Sequence, residues 1–279
     1  MPPSRSARAP LPSPRRRAVA HPLRLAAGAA LAIAATAPAA SAQTLLHHFA
    51  FDGDLTSRVS SATGTLVGDA AFADGALRVG GSPGFAEFSA LIPGVADYNS
   101  TRWTVSVWAR QRVPQPGEAV VVGLGAPGFL PAFTMAVNGA QQAVVRNYAG
   151  YGAGWTGGEA AVGSWNLITT VMSTDCASLW INGVSIGGGC GPMYLGGGSY
   201  FGSMRVGRQV LAYDGQFDGD IDDLRIYQGR LDDAAIRAQW EAGRSAPAST
   251  VPEPTSVALL ASGLLGLAGV AKRRRPAAR

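Results

Sequence analysis

The chain has 279 residues, 47% hydrophobic and 15% charged, with 37 glycines and a formal net charge of +5. The basic excess sits at the ends: residues 1–42 carry six arginines and no acid, and 251–279 carry five Lys/Arg against Glu253, which leaves 43–250 with 12 basic and 17 acidic residues. An apolar, acidic middle of that size excludes a basic nucleic-acid-binding domain and a disordered chain, and suits one domain with a sizeable core.

In chain order, an Arg-rich stretch ending at Arg24 leads into an alanine-rich apolar run from Leu25 to Ala37, and Ala40-Ser41-Ala42 supplies small residues for cleavage. Residues 1–42 read as a secretory signal peptide cut by signal peptidase after Ala42; the apolar run is short for a membrane anchor.

From 43 to 242, short β-rich runs recur between glycine-rich turns: Leu45–Phe51, Trp103–Arg112, Ala119–Leu124, Ala132–Val137, Trp165–Ser173, Ala177–Ile181 and Ile221–Tyr227. Alternation over Trp103–Arg110 puts Val105 and Val107 on one face and Thr104, Ser106 and Trp108 on the other. Asn182-Gly183 predicts a type I′ hairpin turn, which needs positive φ at both central residues. One helix is predicted, Leu231–Ala242: Asp232 or Asp233 caps it, Ile236 and Trp240 share a face, and Gly243 ends it. Many short strands with one short helix predict an all-β, two-sheet antiparallel sandwich.

The only cysteines, Cys176 and Cys190, flank the Asn182-Gly183 turn. Counting outward places Cys176 opposite Gly189, and one bulge within Gly187–Gly189 brings Cys190 into register. In an oxidising compartment the natural reading is a disulfide, with ~3 kcal/mol of stabilisation on the chain-entropy model. The alternatives are two free thiols or a metal pair, and two cysteines without nearby histidines make a poor zinc site.

Residues 243–250 form a small, polar, Pro-containing linker. The tail, 251–279, has Pro252-Glu253-Pro254, then an apolar stretch Ser256–Ala271, then Lys272-Arg273-Arg274-Arg275. The basic cluster would keep the tail end cytoplasmic and the preceding domain outside. The three parts in this order resemble the PEP-CTERM sorting signal of Gram-negative bacteria. That resemblance implies recognition by an exosortase, processing near Pro252-Glu253-Pro254, transient anchoring in the inner membrane, and delivery to the outer cell surface or extracellular matrix.

Several blocks in the middle resemble laminin-G-like domains of the concanavalin A-like lectin/glucanase fold. They are His48–Leu55, Trp103–Arg110, Gly163–Val171, Leu179–Gly183 and the most specific, Phe217–Tyr227 followed by Leu231–Ile236. The resemblance spans about 43–242. It implies a jelly-roll sandwich with first and last strands side by side, so that the domain ends meet. Some members bind calcium there through backbone carbonyls and an aspartate; carried over, Asp222 is the first candidate carboxylate and Asp52 the second. The alternative is that these aspartates accept backbone N–H groups in turns. The run Asp218–Asp223 is not a helix–loop–helix calcium loop, because Asp223 stands where a glycine is needed and Gly229 where a Glu is needed.

Aromatic side chains on rim loops can stack on sugars. Tyr148, Tyr151 and Trp155 are the first contact candidates, in the glycine-rich segment 147–158, with Tyr194 and Tyr200 next. Trp103, Trp108, Trp165, Trp180 and Trp240 lie in fold-defining segments and read as core. None of the glutamates Glu87, Glu118, Glu159, Glu241 and Glu253 lies in the Glu-x-Asp-x-Glu pattern of related glucanases, and the two histidines left after signal removal, His47 and His48, suit a structural role better than a triad. The expectation is therefore a non-catalytic, exported binding or adhesion protein, for exopolysaccharide or another glycan, with no nucleic-acid partner and no cofactor beyond a candidate structural calcium. The rivals are a glycan-active hydrolase or lyase on the same fold and a purely structural matrix protein.

Overall fold

The computed structural model describes residues 43–81, 83–89, 102–125, 133–147, 153–172, 176–190, 203–210 and 215–244. The expected signal peptide (1–42) and sorting tail (251–279) lie outside these residues. Among the described residues, no helix is long and apolar enough to cross a membrane.

Among the described residues, fifteen strands form two antiparallel sheets. The first five are β1 (Thr44–Phe49), β2 (Thr65–Gly68), β3 (Ala71–Ala73), β4 (Ala76–Val79) and β5 (Gly84–Ser89). The middle five are β6 (Trp103–Gln111), β7 (Ala119–Gly125), β8 (Phe133–Val137), β9 (Gln142–Asn147) and β10 (Ala153–Glu159). The last five are β11 (Asn166–Met172), β12 (Cys176–Ile181), β13 (Val184–Cys190), β14 (Ser203–Val206) and β15 (Gly219–Gln228). One sheet runs β13-β12-β11-β6-β15-β4-β3, with β1 also on β15; the other runs β10-β9-β8-β7-β14-β5-β2.

Their inner faces supply one core. Val105, Val107 and Ala109 of β6 point into it together with Phe49, Phe88, Phe133, Met135, Ile168, Leu179 and Phe217. The other face of β6 carries Thr104, Ser106 and Trp108, as the alternation predicts. There a second, smaller cluster of Val171, Trp180, Tyr227, Leu231 and Ile236 lies beneath helix α1 (Asp233–Ala242). Asp232 caps α1 by accepting the Ala235 N–H at 2.8 Å, and Gly243 at φ 80° ends it. Trp240 stacks on Trp108 with ring centroids 5.1 Å apart, so the i, i+4 face of α1 packs on the sheet with Ile236 buried and Trp240 half-buried rather than core.

The hairpin turn has φ 51° at Asn182 and 76° at Gly183, as a type I′ turn needs. Cys176 lies opposite Cys190 and the two form a disulfide. The extra residue that sets this register is Ile186, because Leu179 pairs with Gly187 and Trp180 with Ser185. The bulge thus precedes the glycine run rather than falling within it.

One expectation is corrected. The segment 153–159 is a strand, paired with β9, not part of a loop. Its glycines permit close approach: a Cβ on Gly157 would lie 2.7 Å from Ile186 Cγ2. The first and last strands, β1 and β15, lie side by side, as the resemblance implies. Gln43 donates to the Arg230 carbonyl at 2.6 Å, and α1 then carries the chain back to Arg244, which contacts Gly75 and Asp222.

Candidate functional site

The register fixes the two ends of the sandwich. Trp103 pairs with Met172 and Gln228, Met172 with Ala177, and Cys176 with Cys190, so these residues share one end of the eight-stranded sheet with Thr44. In the other sheet Asn147, Ala153, Phe133 and Ser203 likewise cluster at one end. Tyr148, Tyr151, Tyr194 and Tyr200 lie outside the described residues. Trp155 is described: it is half-buried and packs on the core. Its indole lies across Gly187, where a Cβ would come within 2.7 Å of the ring, so glycine at φ 134° makes room for it. The Trp155 Nε1 has no hydrogen-bond partner among the described residues.

Beside the disulfide is a cavity of about 150 Å³ lined by Arg102, Val171, Met172, Cys176, Ser178 and Arg230. Local backbone bonding positions both arginines. The Arg102 carbonyl accepts the Gly229 N–H at 2.6 Å, and the Thr104 hydroxyl donates to the Gly229 carbonyl while accepting the Leu231 N–H. Sequence reading missed this site because its residues come from four separate segments with no motif among them.

The acidic run of β15 has different partners. Asp218 pairs with Arg112, and Asp220 with Arg78 and Arg110, both at 2.8 Å. Burial raises the Asp220 pKa, but hydrogen bonds from the two arginines outweigh that and leave it below the usual carboxylate value. A bulge follows Asp222. Asp223, at φ 48°, reaches His48 Nε2 at 2.7 Å and the Arg225 guanidinium at 2.8 and 2.9 Å. His48 therefore has a buried structural role, and His47 Nδ1 lies 2.9 Å from Ser60 Oγ.

Asp222 is fully buried, and burial pushes its pKa up to about 6 against the opposing charge of Arg244. Arg244 donates to Asp222 Oδ2 at 2.9 Å and to the Gly75 carbonyl at 3.1 Å. Its guanidinium also lies 4.4 Å from the Trp165 ring centroid, and that of Arg110 lies 4.9 Å from it. Trp165 is thus a half-buried platform for two arginines rather than a core residue. Asp52 is exposed and 3.9 Å from Arg58. Asp222, the first candidate carboxylate, is engaged by the Arg244 guanidinium, and among the described residues no three His, Cys, Asp or Glu gather for a metal.

Two antiparallel sheets packed face to face with one short helix make a jelly-roll sandwich of the concanavalin A-like kind. Residues 89–237 match the concanavalin A-like lectin/glucanases superfamily, and the chain belongs to it. Residues 250–275 match the PEP-CTERM protein-sorting motif, which indicates export and membrane-linked sorting. No curated protein matches the chain. Among solved structures, domain 4 of an extracellular arabinanase from Geobacillus stearothermophilus, in complex with arabinotriose, is similar with TM-score 0.52 and 20% identity, covering 70% of this chain and 98% of that one. A Trypanosoma rangeli sialidase in complex with 2,3-difluorosialic acid gives TM-score 0.60 at 13% identity, covering 74% of this chain and 34% of that one. The binding domain of botulinum neurotoxin DC, in complex with rat synaptotagmin II, gives TM-score 0.56 at 13% identity, covering 71% and 52%. At these identities the likeness is one of fold.

Proposed function

We propose that the chain is an exported protein of the Gram-negative cell surface or extracellular matrix whose 43–242 sandwich binds glycan without cleaving it. Residues 1–42 are its signal peptide, and 251–279 hold it in the inner membrane until an exosortase processes it. The observation that carries the non-catalytic part is the pairing of carboxylates. Glu87 holds Arg205, Glu118 holds Arg146, and Asp218, Asp220, Asp222 and Asp223 each hold an arginine. Two-carboxylate glycoside hydrolysis needs an acid and a second carboxylate facing one bond, about 5–10 Å apart. Carboxylates committed to guanidinium groups suit structure better than that task. The arabinanase domain in complex with arabinotriose supports a saccharide as ligand.

The test is a polysaccharide panel with the full-length chain purified in detergent, scored for binding and for new reducing ends. Binding without new ends is expected; turnover abolished by one Asp or Glu substitution would show a hydrolase or lyase, and no binding at all a structural protein. Asp222 already holds the Arg244 guanidinium, which favours a domain that needs no calcium at that carboxylate. The melting midpoint should therefore be the same in millimolar calcium and in chelator, and a calcium-dependent rise would refute this assignment.

A further inference from the structure

We infer that the cavity beside the disulfide is an anion subsite, which makes the ligand an acidic saccharide carrying an oxyanion, either a carboxylate or a sulfate ester. This rests on the glycan-binding reading above and narrows it.

The first observation is charge. The middle of the chain has more acids than bases, and eight of its twelve arginines already reach a carboxylate. Arg102 and Arg230 reach none among the described residues, although both are exposed and both line one cavity. The nearest described acid in sequence, Asp232, is turned to the first turn of α1, where it accepts the Ala235 N–H. Two guanidinium groups lining one small cavity repel each other, and an oxyanion bound there offsets that cost.

The second observation is placement. Arg102 precedes β6 and Arg230 follows its partner β15, and these strand ends are tied by the Gly229 N–H to Arg102 carbonyl bond and by the Thr104 hydroxyl. Gln43 holds the Arg230 carbonyl from the other side. The side chains therefore start from a fixed base and lose less freedom on binding than arginines on a loop.

The third observation is size and lining. About 150 Å³ is small for an oligosaccharide but holds one charged substituent, with the rest of the sugar outside. Val171 and Met172 give the recess buried apolar lining, and Ser178 adds a hydroxyl. An arginine fork matches the paired oxygens of a carboxylate or sulfate, and a lysine would not.

The experiment titrates the full-length chain in detergent with three probes: oligogalacturonate, its carboxyl-reduced neutral counterpart and a sulfated galactan oligosaccharide. At least one charged probe should bind tenfold or more tighter than the neutral one, and the tighter charged probe identifies the oxyanion. Its affinity should fall several-fold between low and high salt. Arg102→Ala and Arg230→Ala should each weaken the charged probe roughly tenfold and leave the neutral one unchanged. Arg102→Lys should recover only part of the loss. Arg237→Ala, an exposed arginine on α1, should change nothing. Unchanged melting midpoints confirm that the variants fold. Equal affinity for charged and neutral probes, or an equal loss in Arg237→Ala, overturns the anion subsite and leaves glycan binding standing. Failure of every saccharide to bind overturns both.

Discussion

The acids of β15 show how one residue type is sorted by its surroundings. Asp220 and Asp222 are two residues apart and both buried, yet their pKa values move in opposite directions. Asp220 has two arginines and ionises more easily than usual. Asp222 has one, and desolvation dominates. Because its folded pKa of about 6 lies above the ordinary carboxylate value of about 3.9, the folded state holds a proton that the unfolded chain has lost between those limits. The contribution of Asp222 to stability is therefore full below about pH 4 and declines as pH rises through about 6. Asp222→Asn removes this decline. Denaturant titrations at pH 4, 5, 6 and 7 should show the wild type losing stability relative to Asp222→Asn over that range, and parallel curves would refute it. Sequence alone named Asp222 but not its partner: Arg244 lies past the helix, and nothing in its local pattern says that it returns to β15. For Trp165, position in a strand-like block suggested core, whereas the surface location of its two arginine neighbours depends on tertiary packing.

Among elements, the β12–β13 hairpin is the most legible. Asn182-Gly183 specifies its turn, and the cysteine spacing specifies a bulge, although not its position at Ile186. That position depends on the Trp155 ring, which arrives from β10 in the other sheet and needs the bare backbone of Gly187. The strand character of β10 was not legible because its glycines carry no hydrophobic alternation; pairing with β9 and packing against Ile186 define it. Strands β2 to β5 escaped for a related reason, being short and broken by glycine and aspartate turns. The disulfide closes a 14-residue separation, and the chain-entropy model assigns such a loop about 3 kcal/mol. Replacing both cysteines by alanine should lower the unfolding free energy by about that amount in denaturant, while an unchanged midpoint would show the crosslink to be neutral. Since Cys176 also lines the cavity, the same variant should bind charged saccharide more weakly.

At the scale of the molecule, the sandwich places its functions at different ends. The disulfide, the arginine-lined cavity and the start of the domain at Gln43 lie at one end. The described chain finishes at Arg244, bound to Asp222, Gly75 and Trp165 away from that end. The all-β class of the sandwich, its capped helix α1 and the sorting signal were all legible, because each rests on local chemistry: turn residues, a cap, and an ordered Pro-Glu-Pro, apolar and basic tail. The cavity was not, because its residues meet only through the pairing of β6, β11, β12 and β15. The central claim, glycan bound intact at the disulfide end, is tested most directly by amide hydrogen exchange of the full-length chain with and without saturating polysaccharide, with the polymer sized before and after. The account predicts protection over Arg102–Thr104, Cys176–Ser178 and Gly229–Leu231 with polymer length unchanged. Protection confined to the Asp222–Arg244 region, or a shortened polymer, would contradict it.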